Sequence, residues 1–173
     1  MERFELQRAA TGWVLRGTIL LQCDAGAAEA RYEVRCAGDW HTTAADVRVR
    51  TASAERSLHL TATEGRWSRD GREFEDVRGC VDVDLSWSPS TNTLPIRRLA
   101  LAVGARRELS AAWVRFPELS VEPLSQEYAR LEERRYRYAS AGGAFTALLD
   151  VDDEGLVRTY AGGWERVAES PAG

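Results

Sequence analysis

Gly79-Cys80-Val81-Asp82-Val83-Asp84-Leu85, followed by Ser88-Pro89-Ser90-Thr91-Asn92-Thr93-Leu94-Pro95-Ile96-Arg97-Arg98-Leu99, decides how this chain is read. Val81, Val83 and Leu85 alternate with Asp82, Asp84 and Ser86, which gives a strand one apolar face and one face carrying carboxylates. Pro89 cannot donate to a sheet ladder and ends that strand, while Pro95 delays the next one. Between them lie small side chains that bond their own backbone. The spacing predicts a strand, a turn and a second strand that starts at Arg97-Arg98 and runs through Leu99, Leu101 and Val103. In such a hairpin Arg98 stands opposite or diagonal to Asp84, within reach of a cross-strand ion pair.

Strand-length segments bounded by Gly, Asp, Ser or Pro continue in both directions. Trp13-Val14-Leu15 and Ile19-Leu20-Leu21 open the series, with Gly17 between them read as a bulge or turn. Tyr32, Val34 and Cys36 alternate, as do Val47 with Val49 and Leu58 with Leu60. Short alternating runs at this spacing indicate an all-β sandwich or barrel. Between Leu124 and Arg137 two patterns compete. Leu124, Tyr128, Leu131 and Arg135 follow helical spacing, whereas Tyr136 and Tyr138 alternate as in a strand, so residues 125–131 fit a short strand or a single helical turn. A faint repeat is also present. Arg31-Tyr32, Thr42 and Asp46-Val47 recur as Arg135-Tyr136, Thr146 and Asp150-Val151, and Gly65, Trp67 and Arg69 recur as Gly162, Trp164 and Arg166. Two duplicated β-meander halves sharing one core would produce it. No linker separates them, so residues 1–173 read as a single domain with a disordered tail at 169–173.

Composition narrows the functions available. The net charge of −4 argues against a nucleic-acid partner, which calls for a basic patch. Every basic residue is arginine, and the absence of lysine excludes Schiff-base chemistry. Cys23, Cys36 and Cys80 fit neither a disulfide framework nor a metal motif. No run approaches the ~20 apolar residues of a membrane span, and Arg16 interrupts the only apolar stretch near the amino terminus. The expectation is a cytoplasmic protein that is not integral to a membrane.

The run Thr91-Asn92-Thr93-Leu94-Pro95-Ile96-Arg97-Arg98-Leu99 resembles the signature of a bacterial family named putative glycolipid-binding proteins. Similar spacing extends through Asp39-Trp40 with Thr42, Gly65-Arg66-Trp67 with Asp70-Gly71, Trp113, Pro117-Glu118-Leu119, Gln126 with Tyr128, Tyr136 with Tyr138, and Gly155-Leu156-Val157 with Tyr160. The resemblance implies an antiparallel, incomplete or open β-barrel, compared in shape with periplasmic lipoprotein carriers. It brings no catalytic residues with it.

Several constellations bear on chemistry. Asp82 and Asp84 sit on one face about 7 Å apart, a separation that two carboxylates of a glycosidase can use. The Ser90-Thr91-Asn92-Thr93 segment beside Arg97 and Arg98 either holds a sugar or phosphate head group or closes the loop on itself. His41 and His59 are the only histidines, the residue type that can serve as a base near neutrality, and they have no metal-ligand spacing. Asp150, Asp152, Glu154 and Gly155 begin like a calcium loop, but the twelfth position is Ala161, so a hairpin turn is expected. Six tryptophans either fill the core of a curved sheet or line an apolar concavity.

These features add up to non-catalytic binding of an amphipathic lipid or glycolipid on a concave all-β scaffold, with no cofactor and no metal. Asp82, Asp84, Thr91, Asn92, Arg97 and Arg98 are expected at the head group, and Trp40, Trp67 and Trp113 along the ligand. The alternatives are a hydrolase using Asp82 and Asp84, or a scaffold module that pairs its edge into a homodimer.

Overall fold

The computed structural model describes residues 1–23 and 26–170, so of the expected disordered tail only positions 169–170 are described and its last three positions lie outside the described residues. Strands β1 (Glu2–Ala9), β2 (Gly12–Cys23), β3 (Gly26–Ala37), β4 (Thr42–Thr51), β5 (Glu55–Thr63), β6 (Arg66–Arg69) and β7 (Arg72–Glu73) pair in chain order as one antiparallel meander, sheet A. A second sheet, B, contains β8 (Asp82–Leu85), β9 (Arg106–Val114), β10 (Val121–Glu132), β11 (Arg135–Ser140), β12 (Phe145–Val151), β13 (Val157–Tyr160) and β14 (Trp164–Glu165), again in chain order. The fold is an all-β open barrel in which sheet B curls as a half-barrel. Residues 125–131 fall inside β10, so the strand reading holds there.

The expected hairpin does not form. Residues 89–92 make a 3₁₀ turn and Thr93–Leu99 form the helix α1, while β8 pairs in parallel with β9. Parallel neighbours need a crossover over one face of the sheet, and residues 86–105 supply it. The local chemistry permits a helix. Ser88 Oγ accepts the Ser90 N–H at 3.1 Å, and Pro95 falls at the third helical position, where its missing N–H has no intrahelical acceptor to lose. Ala100 ends α1 in the left-handed conformation with φ 43°, and Val103, expected on the second strand, lies outside any strand and is exposed.

Gly17 is not a bulge either. Strand β2 is continuous, and Gly17 pairs directly with Tyr32. A Cβ at Gly17 would meet the Tyr32 ring at 2.3 Å, so the ring lies over the space glycine leaves.

The repeat seen in the sequence corresponds to a repeated topology. Arg31-Tyr32 and Arg135-Tyr136 lie on β3 and β11, each paired with the next strand, and Trp67 and Trp164 lie on β6 and β14. The register differs after the first match. Tyr32 pairs with Val47, but Tyr136 pairs with Leu149, so Asp150-Val151 stands two residues out of step with Asp46-Val47.

Two apolar clusters result. The first packs Leu15, Ile19, Val34, Val47 and Leu60 of sheet A against Val83, Leu85, Val114 and Val121 of sheet B. The second packs Ile96 and Leu101 against Tyr128, Tyr136, Tyr138, Leu149 and Val151 inside the curl of sheet B. Helix α1 joins them, with Leu94 in the first and Ile96 in the second. Thr42 ties the sheets together: its N–H donates to Val81 O at 3.3 Å and its Oγ1 accepts the Val83 N–H at 3.1 Å.

Gly17→Ala forces the Tyr32 ring from its place and is expected to destabilise the protein by about 1–3 kcal/mol in urea denaturation. A variant as stable as the wild type would show that the ring has room to move.

Candidate functional site

The carboxylate face of β8 points into the curl of sheet B, and its two aspartates meet different partners. Arg98 on α1 takes Asp82, donating from Nε to Oδ1 at 3.1 Å and from Nη2 to Oδ2. Asp82 is 1% exposed, and burial raises its pKa against the opposing pull of Arg98. The expected Asp84–Arg98 pair is therefore corrected to Asp82–Arg98. Helical rise carries Arg98 to the earlier aspartate, where a strand would have carried it elsewhere.

Asp84 accepts a hydrogen bond from Gln126 Nε2 at 2.6 Å, although Gln126 lies on β10, two strands away. The curl of the sheet brings them together. Protein surrounds Asp84, yet the residue keeps some accessible surface, which places it in the wall of a recess rather than sealed inside a core. Burial raises its pKa to about 6, with Gln126 opposing the shift and the charge of Asp82 adding to it.

Tyrosines lie close by, Tyr128 and Tyr138 buried in the second cluster and Tyr160 half-buried at its border. Tyr128 and Tyr138 are register partners with ring centroids 5.2 Å apart, and Tyr138 stands 6.3 Å from Tyr160. Phe145 lies 6.1 Å from Tyr138 and stacks beside Tyr160 at 6.3 Å, with 47% of its surface exposed. Burial raises the pKa of Tyr128, Tyr138 and Tyr160, and the Asp84 charge adds to the rise in each.

The other expected site residues are less available. Thr91 Oγ1 accepts the Leu85 N–H at 3.2 Å. Asn92 donates to Pro89 O at 3.1 Å and accepts the Tyr128 hydroxyl at 2.7 Å, so this segment closes on itself. Arg97 lies over the Trp40 ring at 5.1 Å, and Trp40 stacks on Trp13 with centroids 4.9 Å apart. Trp67 is buried and donates from Nε1 to Cys80 O at 2.8 Å. Trp40 and Trp67 are buried core residues, and Trp67 meets the surface only at the floor of a groove away from Asp82 and Asp84. Trp113 is half-buried, pairs with Asp84 in the β8–β9 register and carries Arg115 over its ring at 5.0 Å.

Gln126, Tyr138, Tyr160 and Phe145 escape a residue-by-residue reading. Their one local signal is the even spacing of Gln126 with Tyr128 and of Tyr136 with Tyr138, which marks a shared strand face. A second polar cluster joins the sheets. The Tyr32 hydroxyl lies 2.6 Å from Glu2 Oε1 and 2.7 Å from Ser90 Oγ, and Ser88 Oγ lies 2.7 Å from the same Glu2 oxygen. Burial raises the Glu2 pKa.

Other candidates resolve as surface structure. His59 meets Asp46 at 2.6 Å and His41 meets Asp39 at 3.0 Å. Asp152 Oδ1 accepts the N–H groups of Glu154 and Leu156 at 3.0 and 2.8 Å, which makes the acidic segment a hairpin turn. Among the described residues no group of three His, Cys, Asp or Glu side chains is placed to hold a metal ion, and no helix is long and apolar enough to cross a membrane. Open grooves of about 280 Å³ beside Thr61, Trp67 and Glu73, and about 540 Å³ beside Glu132, Arg135 and Arg158, lie away from the aspartates.

Residues 1–166 match the profile of the family described as Putative glycolipid-binding. The chain belongs to that family. It is also similar to the crystal structure of a DUF1089 family protein from Pseudomonas aeruginosa, at 34% identity, with a TM-score of 0.85 over 96% of this chain and 92% of that one. No curated protein matches the chain.

Two predictions follow from the unequal aspartates. Removing either partner of the Asp82–Arg98 pair strands a buried charge, so Asp82→Ala and Arg98→Ala should each cost about 3–5 kcal/mol. The double variant should cost much less than their sum, and additivity in urea titrations would exclude the pairing. For Asp84, the folded pKa of about 6 exceeds the unfolded carboxyl value of roughly 3.9. Between those limits the folded state holds more protons. The contribution of Asp84 is therefore fully present below about pH 4 and is lost as pH rises through 6, by about 2–3 kcal/mol. Asp84→Asn should remove that loss, so its stability relative to the wild type should increase from pH 4 to pH 7.5.

Proposed function

We propose that this protein binds an amphipathic lipid or glycolipid without transforming it, with the head group in the recess at Asp84 and the apolar part along the open edge of sheet B. The observation that carries this reading is the contrast between the two apolar clusters. The first is closed by two sheets, with Trp40 and Trp67 among its packed side chains. The second is covered by one seven-residue helix and is bordered by the half-buried Leu99, Leu109, Val157 and Tyr160. Tyr160 belongs to this border and is near enough to Asp84 to feel its charge, and Phe145 stacks beside Tyr160. Apolar surface covered there would contribute about 25 cal/mol per Å² before the costs of association. The family description supports a binding role in general terms.

The geometry weighs against the hydrolase reading. Glycoside hydrolysis needs two carboxyl groups that both reach the scissile bond. Asp82 is held by Arg98 and almost wholly buried, which leaves Asp84 without an available acidic partner. A scaffold that pairs its edges would rely on β1, because β7 and β14 have two residues each and the remaining edge, β8, has four and is met by Thr42 of β4. Nothing about the recess calls for such a partner.

Trp113, beside Asp84 in the sheet, supplies the readout. Octyl glucoside added below its micelle concentration should change tryptophan emission saturably, and Trp113→Phe should remove most of the change. Phe145→Ser, which takes apolar surface from the rim, should weaken binding several-fold. A linear, unsaturable response in the wild-type protein would end the amphiphile reading.

A further inference from the structure

This inference rests on the reading of the Asp84 recess as a head-group site, and it concerns the charge of that group. The sequence suggests an anionic or sugar head group met by Arg97 and Arg98, but both guanidinium groups are engaged elsewhere. Arg98 is bound to Asp82, and Arg97 lies over Trp40. Arg130, the nearest basic residue on β10 to Tyr128, donates to Leu101 O at 2.7 Å and Glu133 O at 3.2 Å.

What faces Asp84 is neutral or already balanced. Strand β8 contributes Asp82, neutralised by Arg98 from α1. Strand β9 contributes Trp113, which has Arg115 over its ring and Glu122 of β10 opposite it, these two paired with each other at 3.4 Å, and β10 also contributes Gln126 and Tyr128. Tyr138 comes from β11 and Tyr160 from β13, and both hydroxyls stay protonated at neutral pH because burial raises their pKa. Asp84 Oδ2 accepts one hydrogen bond from a neutral amide, and among the described residues Oδ1 has no partner in the chain. An ionised carboxylate has room for several donors. The recess therefore carries one uncompensated negative charge, with the half-buried Tyr160 close enough to feel it.

We propose that the recess at Asp84 takes an ammonium group, from an amino sugar or an ammonium lipid head group, with Asp84 as its counter-ion and the half-buried Tyr160 near it. A cation supplies the charge and the N–H or N–CH donors that Gln126 alone does not. A phosphate or carboxylate would meet the same unbalanced charge as repulsion. The geometry thus selects against anionic lipids as well as in favour of amines.

The test uses soluble head groups without acyl chains, so that it is separate from the amphiphile assay. Titrations of the wild-type protein at pH 7 compare glucosamine, glucose and choline chloride by calorimetry. At least one of the two cations should bind about tenfold or more tightly than glucose, as expected for one charge-assisted contact. Glucosamine alone would identify an amino-sugar site, and choline alone an ammonium-lipid site. The isosteric Asp84→Asn should bring the favoured cation down to the level of glucose. Because choline keeps its charge at every pH, or glucosamine below pH 7, affinity in the wild type should rise from pH 4.5 to 7 as Asp84 ionises. Equal binding of glucose and both cations, or a pH-independent affinity, overturns the proposal. If octyl glucoside binds and neither cation does, the charge inference fails and the amphiphile reading stands. If a cation binds and octyl glucoside does not, the reverse holds.

Discussion

Two adjacent strands that run in the same direction cannot be joined by a tight turn, and β8 and β9 are such a pair. The chain between them must leave the sheet, cross one of its faces and return. Because the second cluster lies on that face, the crossover becomes its cover: Ile96 and Leu101 pack on Tyr128 and Tyr138, and Asn92 accepts the Tyr128 hydroxyl. The same crossover carries Leu94 into the first cluster and places Ser88 and Ser90 against Tyr32 of sheet A. One pairing between short strands thus fixes how the two sheets are held together.

It also divides the work of two similar residues. Asp82 and Asp84 are two positions apart on one strand face, yet the helix brings a guanidinium to only one of them. Asp82 is sealed and paired, a structural ion pair whose loss would strand its partner. Asp84 keeps a neutral partner and an opening. The protein carries the electrostatic cost of a buried carboxylate with no counter-ion, and costs of that kind concentrate at sites that meet something else.

Much of this architecture is legible in the sequence. The alternation of Val81, Val83 and Leu85 with the aspartates identifies β8 and its two faces correctly, and the short alternating runs give the all-β class. The repeat of Arg-Tyr and Trp positions marks equivalent strands, although unequal hairpins shift its second half by two residues. The helix is harder to see, because Pro95 fits a delayed strand as well as a first helical turn, and parallel pairing is a long-range property that no local pattern carries. The site suffers most from this. Once residues 93–99 are helical, Arg98 reaches a different aspartate and Thr91 and Asn92 turn inward to the fold. Six tryptophans are evident from composition, but composition does not say which face each takes. The tyrosines near Asp84 come from three separate strands and meet only because sheet B curls.

The bond between Glu2 and Ser88 connects the first strand with a segment that lies 86 residues further on. On the ribosome this separation becomes a delay. Sheet A is built from neighbouring hairpins, so residues 1–73 can pair as they emerge, with little loop-closure entropy to overcome. Its apolar face then waits for Val83, Leu85, Val114 and Val121 to be made. During that interval the nascent chain displays a long sheet with one uncovered greasy side, the kind of surface that chaperones hold and that aggregates capture. The crossover segment ends this exposure, and the Glu2 carboxyl latches onto it as it arrives.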